Sequence, residues 1–338
     1  MPHGLTYTKC YGHDIGGFEG PQPSPELLVR WCQLGIYSSR FAINCFKTSP
    51  GNNSVGDVIE PWMYPETTPI IRDIIKRRYE LIPYLYSLAL DSHMNVVPPQ
   101  RWTGWGYESD PEVWNNRVLT DGETQYWLGD SLLIGGVYEP GVSTSRIYLP
   151  KDVADPGLQY LDLNAPQSYY PAGQWIELKS KWDQSIPVLG RVGGAVPIGR
   201  PCQTLSVGDV ANPANLPRDD YRAIEIFPPA GFSSGKEHAN TWYEDDGISP
   251  PPARISAFTV KYRCDAQGIK VTFEENLQPG FLPAWQDLVV ILPAGDKRAV
   301  TLNGKEAVME KTDGKDRAHF RGKIGRSGKG GLFAKSKI

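Results

Sequence analysis

Asp14 stands in Tyr11-Gly12-His13-Asp14-Ile15-Gly16-Gly17-Phe18, directly after a short apolar, β-prone run over residues 5–10. A carboxylate at a strand end can accept hydrogen bonds from a ligand or take part in acid–base work. Two consecutive glycines permit backbone conformations closed to other residues and let a neighbouring group come close. The pattern fits an aspartate facing a cavity. It fits equally an ordinary Asp-Gly turn on a domain surface. Glu19, Asp57, Glu60 and Glu66 are further acids nearby in sequence. Two acids act as a pair only in a closed, partly dry site that separates their pKa values. A third group, Glu244-Asp245-Asp246-Gly247, has the oxygen ligands a hard cation needs but not the twelve-residue EF-hand spacing, so a solvated turn is the better reading.

The elements that would position Asp14 follow it closely. Ser24-Pro25-Glu26 is a helix start: a hydroxyl N-cap, proline at the first position and an acid in the first turn. Leu27, Leu28, Trp31 and Leu34 recur at helical spacing, and Gly35 is placed as a stop. Residues 36–44 form a second extended run that ends at Asn44. Strand, helix and strand in this span are the size of a parallel βαβ unit. In parallel α/β folds, polar residues at the C-terminal strand ends form the reaction face, and Asp14 and Asn44 occupy two such ends. Residues 47–56 read as a loop, and residues 57–66 as an acid- and aromatic-bearing loop that either lines a site or packs on the next helix.

Thr68-Pro69 opens a long helix with an apolar stripe, which Pro83 should kink and Pro98-Pro99 should end. A Trp-rich irregular stretch follows over residues 101–114. From about residue 125 the pattern changes to short strands with turns, at 130–138, 146–150, 174–178 and 186–192. Residues 197–217 read as a connector. A second β series lies at 224–227, 255–262, 269–274 and 288–292, and residues 321–338 read as a basic, disordered tail.

The net charge of −3 gives no electrostatic reason to expect nucleic acid or an anionic membrane as partner. No run of apolar residues is long enough to span a membrane as a helix. Cysteines 10, 32, 45, 202 and 264 show neither metal-ligand spacing nor a paired framework, and read as mostly free, buried thiols. The many tryptophans and tyrosines serve β-rich cores first and ligand platforms second. Oligomeric state and compartment leave no trace in the sequence.

HDIGGF (residues 13–18), PELLVRWCQLGIYSSRF (25–41), RRYELIPYLYSLAL (77–90) and QYWLGDSLLIGGVYEPGVSTSRIYLP (125–150) together resemble the C-terminal half of glycoside hydrolase family 31, the retaining α-glucosidases and α-xylosidases. Trp242-Tyr243-Glu244-Asp245-Asp246-Gly247 resembles a motif of that family's distal β-domain. The resemblance implies α/β plus all-β architecture: a C-terminal remnant of a (β/α)8 barrel, then two β-sandwich-like domains. The expected divisions are 1–128 for the barrel part, 129–203 for a proximal domain, 204–320 for a distal domain and 321–338 for the tail.

Retaining hydrolysis needs two carboxyl groups about 5–5.5 Å apart and no cofactor. In the family these are aspartates of a Trp-x-Asp-Met-Asn-Glu type motif and a Gly-Asp-Asn type motif. Neither occurs in this sequence, so no residue here is expected to be catalytic, and the chain is expected to be a fragment, inactive alone. What the resemblance carries over is a substrate shell for an α-linked oligosaccharide or glycoside. Asp14 matches the aspartate that hydrogen-bonds the sugar, Phe18 an aromatic of the same pocket, and Asn44 a position where many members have histidine. Ala42 falls where many have arginine. The alternative is a non-catalytic carbohydrate-binding or interaction module.

Overall fold

The computed structural model describes residues 12–45, 58–202, 218–231, 235–265 and 268–326. The runs read above at 5–10 and 47–56 lie outside these.

β1 (Asp14–Ile15) and β2 (Ala42–Ile43) run parallel, with Asp14 opposite Ala42. They are joined by α1 (Pro25–Gly35), so the βαβ unit forms. The Ser24 hydroxyl accepts the Leu27 N–H at 3.2 Å, which satisfies one of the donors that a helix start leaves open. The buried face is turned from the one expected. Leu28, Val29 and Cys32 point inward, against Ile15, Ile59 and Ile71, whereas Leu27 is exposed. The second strand is shorter than residues 36–44, because Ile36 and Tyr37 donate back to the carbonyls of Cys32 and Leu34 and complete the helix end.

The kinked helix is in fact two helices, α2 (Thr68–Glu80) and α3 (Ile82–Asn95), broken at Leu81. Pro83 falls in the first turn of α3, where an N–H would have no helical partner, so it starts a helix and does not bend one. α3 stops before the proline pair, at a left-handed Val96. The Trp-rich stretch holds two short helices, α4 (Pro111–Asn115) and α5 (Arg117–Thr120).

Six antiparallel strands follow in the order β3 (Gln100–Arg101), β4 (Gln125–Leu128), β5 (Leu132–Gly135), β10 (Val188–Arg191), β7 (Gln159–Asp162) and β8 (Tyr169–Pro171). β6 (Thr144–Leu149) and β9 (Gln174–Lys179) pair separately. Ile147, Leu149 and Leu178 of that pair join Trp127, Leu133 and Leu189 of the six-stranded sheet in one core.

Two five-stranded sheets complete the molecule. One runs β11 (Ala195–Ile198), β12 (Arg222–Ile226), β16 (Asp287–Ile291), β20 (Ala318–Lys323), β19 (Val308–Thr312). The other runs β13 (His238–Glu244), β14 (Ser256–Asp265), β15 (Gly268–Asn276), β17 (Val300–Leu302), β18 (Lys305–Glu306). Strand alternation explains their packing. Ile224, Ile226, Leu288 and Val290 face the second sheet, with Trp242, Phe258 and Val271. Ala223, Val289 and Ile291 face the other way, into a core with Leu81, Leu88, Leu132 and Val188. This middle sheet is apolar on both faces, as a doubly covered sheet must be.

Three expectations are corrected here. Pro197 belongs to β11, not to a connector. It tolerates a strand because β11 is an edge, where a missing N–H breaks no inner ladder. The expected divisions shift as well: β3 and β4 lie within 1–128 yet belong to the six-stranded sheet, and β11 lies before 203 yet is bonded into the distal sheet. The basic tail does not begin at 321: Arg321 to Lys323 continue β20 between β16 and β19. Arg321 bonds Glu310 and Asp287, and Arg326 bonds Glu275, so the charges that looked unpaired in sequence have acids supplied from other strands. Residues 327–338 lie outside the described ones. Among the described residues no helix is long and apolar enough to cross a membrane.

Candidate functional site

Asp14 is the first residue of β1, and its carbonyl anchors the tight turn that follows the strand. The Gly17 N–H bonds the Asp14 carbonyl at 3.0 Å, and Gly16 holds φ +92° with its α-carbon over Ile59, so that a β-carbon would lie 2.6 Å from Ile59 Cγ2. Only glycine fits both demands. Ile15, buried against α1, fixes the strand and turns the Asp14 side chain to the opposite face.

Two side chains converge on Asp14 Oδ1: Arg40 Nη2 at 2.7 Å and Asn44 Nδ2 at 3.2 Å. Among the described residues Oδ2 accepts none. The Arg40 bond, then the Asn44 bond, hold the carboxyl below the usual aspartate range. Asp14 is therefore an ionised acceptor and not a proton donor near neutral pH. Arg40 is itself placed by α2, because Arg78 Nη1 donates to the Ile36 carbonyl at 2.7 Å and Nη2 to the Ser39 carbonyl at 3.1 Å, clamping the turn that leads into β2.

Asp14 and Asn44 are thus brought together. Phe18 is four residues further along the turn and 45% exposed, outside this hydrogen-bonded group. Arg40 was not singled out from sequence. Its signal was the two-residue period, which puts residues 40, 42 and 44 on one side of an extended run. Next to Asp14, burial lowers the His13 pKa, and His13 lines a largely apolar cleft of about 470 Å³ with Leu27, Trp31 and Tyr138.

Of the other acids, Asp57 is outside the described residues, and Glu19, Glu60 and Glu66 do not bond the Asp14 group. Glu244 to Gly247 form the end of β13 and a turn. Asp246 accepts the N–H groups of Ile248 and Ser249 at 3.1 and 2.8 Å, and Asp245 accepts that of Gly247 at 2.9 Å. These bonds make it the turn expected, and among the described residues no group of three or more acid, histidine or cysteine side chains is placed to hold a metal.

A parallel βαβ unit with polar side chains at its strand ends, followed by β layers, is the form of a partial β/α barrel with β-rich appended domains. Residues 2–88 match the TIM-barrel domain of glycosyl hydrolases family 31, and residues 96–196 match the C-terminal domain of the same family. The chain belongs to glycosyl hydrolase family 31. It is 28% identical to neutral alpha-glucosidase AB of Homo sapiens over 306 residues, which are 89% of this chain and 29% of that protein. It is 31% identical to a probable glucan 1,3-alpha-glucosidase of Arabidopsis thaliana over 247 residues, 73% of this chain and 23% of that one. In fold it is similar to a GH31 dextranase of Flavobacterium johnsoniae solved with isomaltotriose, at a TM-score of 0.69 and 24% identity, over 89% of this chain and 36% of that one. The chain spans less than a third of the length of these two curated relatives.

Proposed function

We propose that this chain supplies the closing strands of a retaining α-glycosidase barrel and the β-domains behind it. Asp14, Asn44 and Phe18 would contact the sugar of an α-linked glucoside or xyloside, while the two catalytic carboxyls come from strands this sequence does not contain. Residues 1–128, 129–203 and 204–320 would be the barrel part and two β-sandwich-like domains, with β3 and β4 moved to the second of these and β11 to the last. The observation that carries the reading is the meeting of Asp14, Arg40 and Asn44 beside a pair of parallel strands. An ionised carboxylate beside amide and guanidinium donors suits paired sugar hydroxyls, which both donate and accept.

Assayed alone on nitrophenyl α-glucoside and α-xyloside, the chain is expected to turn over neither. Turnover abolished by Asp14→Ala would overturn the assignment of the catalytic pair to other strands. Joined to the preceding barrel strands of a family member, the same chain is expected to be active, and Asp14→Ala to lower kcat/KM by about ten- to a hundredfold, the loss of one hydrogen bond to a charged group. A folded but inactive fusion would count against the reading. The alternative, a non-catalytic carbohydrate-binding or interaction module, is favoured by a polar rim to which, among the described residues, no second acid is bonded. Absence of calorimetric heat with millimolar glucose or maltose would remove it.

A further inference from the structure

The turn from Glu244 to Ile248 has no part in the barrel reading, yet it walls a second cleft, of about 740 Å³, between the α2–α3 junction, the start of β12 and residues 280–285. Arg222 forms part of the cleft lining and is only 2% exposed. Its Nε donates to Glu244 at 2.8 Å and its Nη2 to Asp219 at 2.7 Å, but Nη1 is buried and has no partner among the described residues. An unmet donor of this kind is costly unless something supplies an acceptor.

The acids around it are already engaged. Glu244 also accepts the Trp242 and Trp285 indole N–H groups at 2.8 and 3.1 Å, Asp246 holds Arg254 at 2.8 Å, and Asp245 accepts the Tyr86 hydroxyl at 2.8 Å. Among the described residues carboxylates and guanidiniums line the cleft in equal number, so these give no excess charge to draw an ion. Tyr86, 43% exposed and anchored through its hydroxyl, offers a fixed flat ring to the opening. Anchored rings beside fixed donors and acceptors, with charge balanced, suit a ligand that is uncharged, ring-shaped and rich in hydroxyls.

We propose that this cleft is a second carbohydrate site, which seats a short neutral oligosaccharide against Tyr86 with a hydroxyl oxygen meeting Arg222. It lies apart from Asp14 and rests on the proposed function only for the choice of sugar. Titration of the full chain with maltotriose, followed by saturation-transfer NMR and calorimetry, tests it, with glycerol as the polyol control. Binding is expected to survive Asp14→Ala and to weaken about five- to tenfold in Tyr86→Ala, as lost ring contact predicts. Ile248→Arg, at an exposed position on the same cleft, is expected to block binding without disturbing a core. Failure to bind, equal binding of glycerol, or binding unchanged in both cleft variants overturns the proposal. Binding lost only in Asp14→Ala overturns it too, while leaving the barrel reading standing.

Discussion

Both hydrogen bonds to the Asp14 carboxylate end on one oxygen, and of the two the Arg40 bond does more to lower its pKa. Arg40→Ala is therefore expected to raise the pH at which Asp14 titrates, and Asn44→Ala to raise it less, both read from the carboxyl carbon shift in NMR. An unchanged titration in Arg40→Ala would remove the guanidinium from the site. Gly16→Ala combines a left-handed φ with a contact of 2.6 Å to Ile59, and should cost on the order of 1–3 kcal/mol in urea melts. Thiols separate by burial: the Cys32 pKa is pushed up to about 12, so iodoacetamide near neutral pH should label Cys45 and Cys202 well before Cys32 and Cys264. That Asp14 and Asn44 would meet was legible in sequence, because the βαβ spacing and the glycines after Asp14 set their two strands side by side. Arg40 was not, since its role depends on how far a long side chain reaches across two strands.

Among the elements, α2 and β12 are tied by Glu225, whose two oxygens accept Arg77 at 2.8 and 2.7 Å and which also bonds Arg317. Burial alone would raise this carboxyl, but Arg77 and Arg317 outweigh it and hold the pKa at about 2, against 4.5 for an ordinary glutamate. A folded pKa below the unfolded one gives stability that is complete above about pH 4.5 and lost as pH falls toward 2. Arg77→Ala would leave a buried, half-paired carboxylate and is expected to destabilise by about 3–5 kcal/mol, a loss that shrinks in acid as Glu225 protonates. Equal losses at pH 7 and pH 3 would show that packing, not charge, explains the change. The starts of α1 and α2 and the buried strand β5 were readable from their opening residues and an apolar run. β13, β19 and β20 were not, because none carries an apolar run: β13 exposes Ala239 and Thr241, β19 is exposed throughout, and β20 sets His319 and Arg321 among its apolar residues.

For the molecule as a whole, acid should act through more than one such group. Asp313, which burial would raise, is instead held at about 2 by Arg317 and by its bond with His319, and it sits beside Glu225 through the shared Arg317. Loss of tertiary circular dichroism is therefore expected to steepen between about pH 4.5 and 2, with the middle sheet and α2 failing together. A steady decline from neutral pH would contradict this. The β layers were visible in sequence as layers, but which sheet lay between the others was not, because Ala223, Val289 and Ile291 look the same whichever neighbour covers them.

That sheet is the floor of one apolar compartment and the ceiling of the next. A peptide-bond cut between residues 202 and 218 would leave β11 on one piece and its partner β12 on the other, still zipped along four residue pairs. The two pieces should co-elute as one particle in native buffer and come apart only in denaturant, so a nicked chain would pass for an intact one until it is run on a denaturing gel.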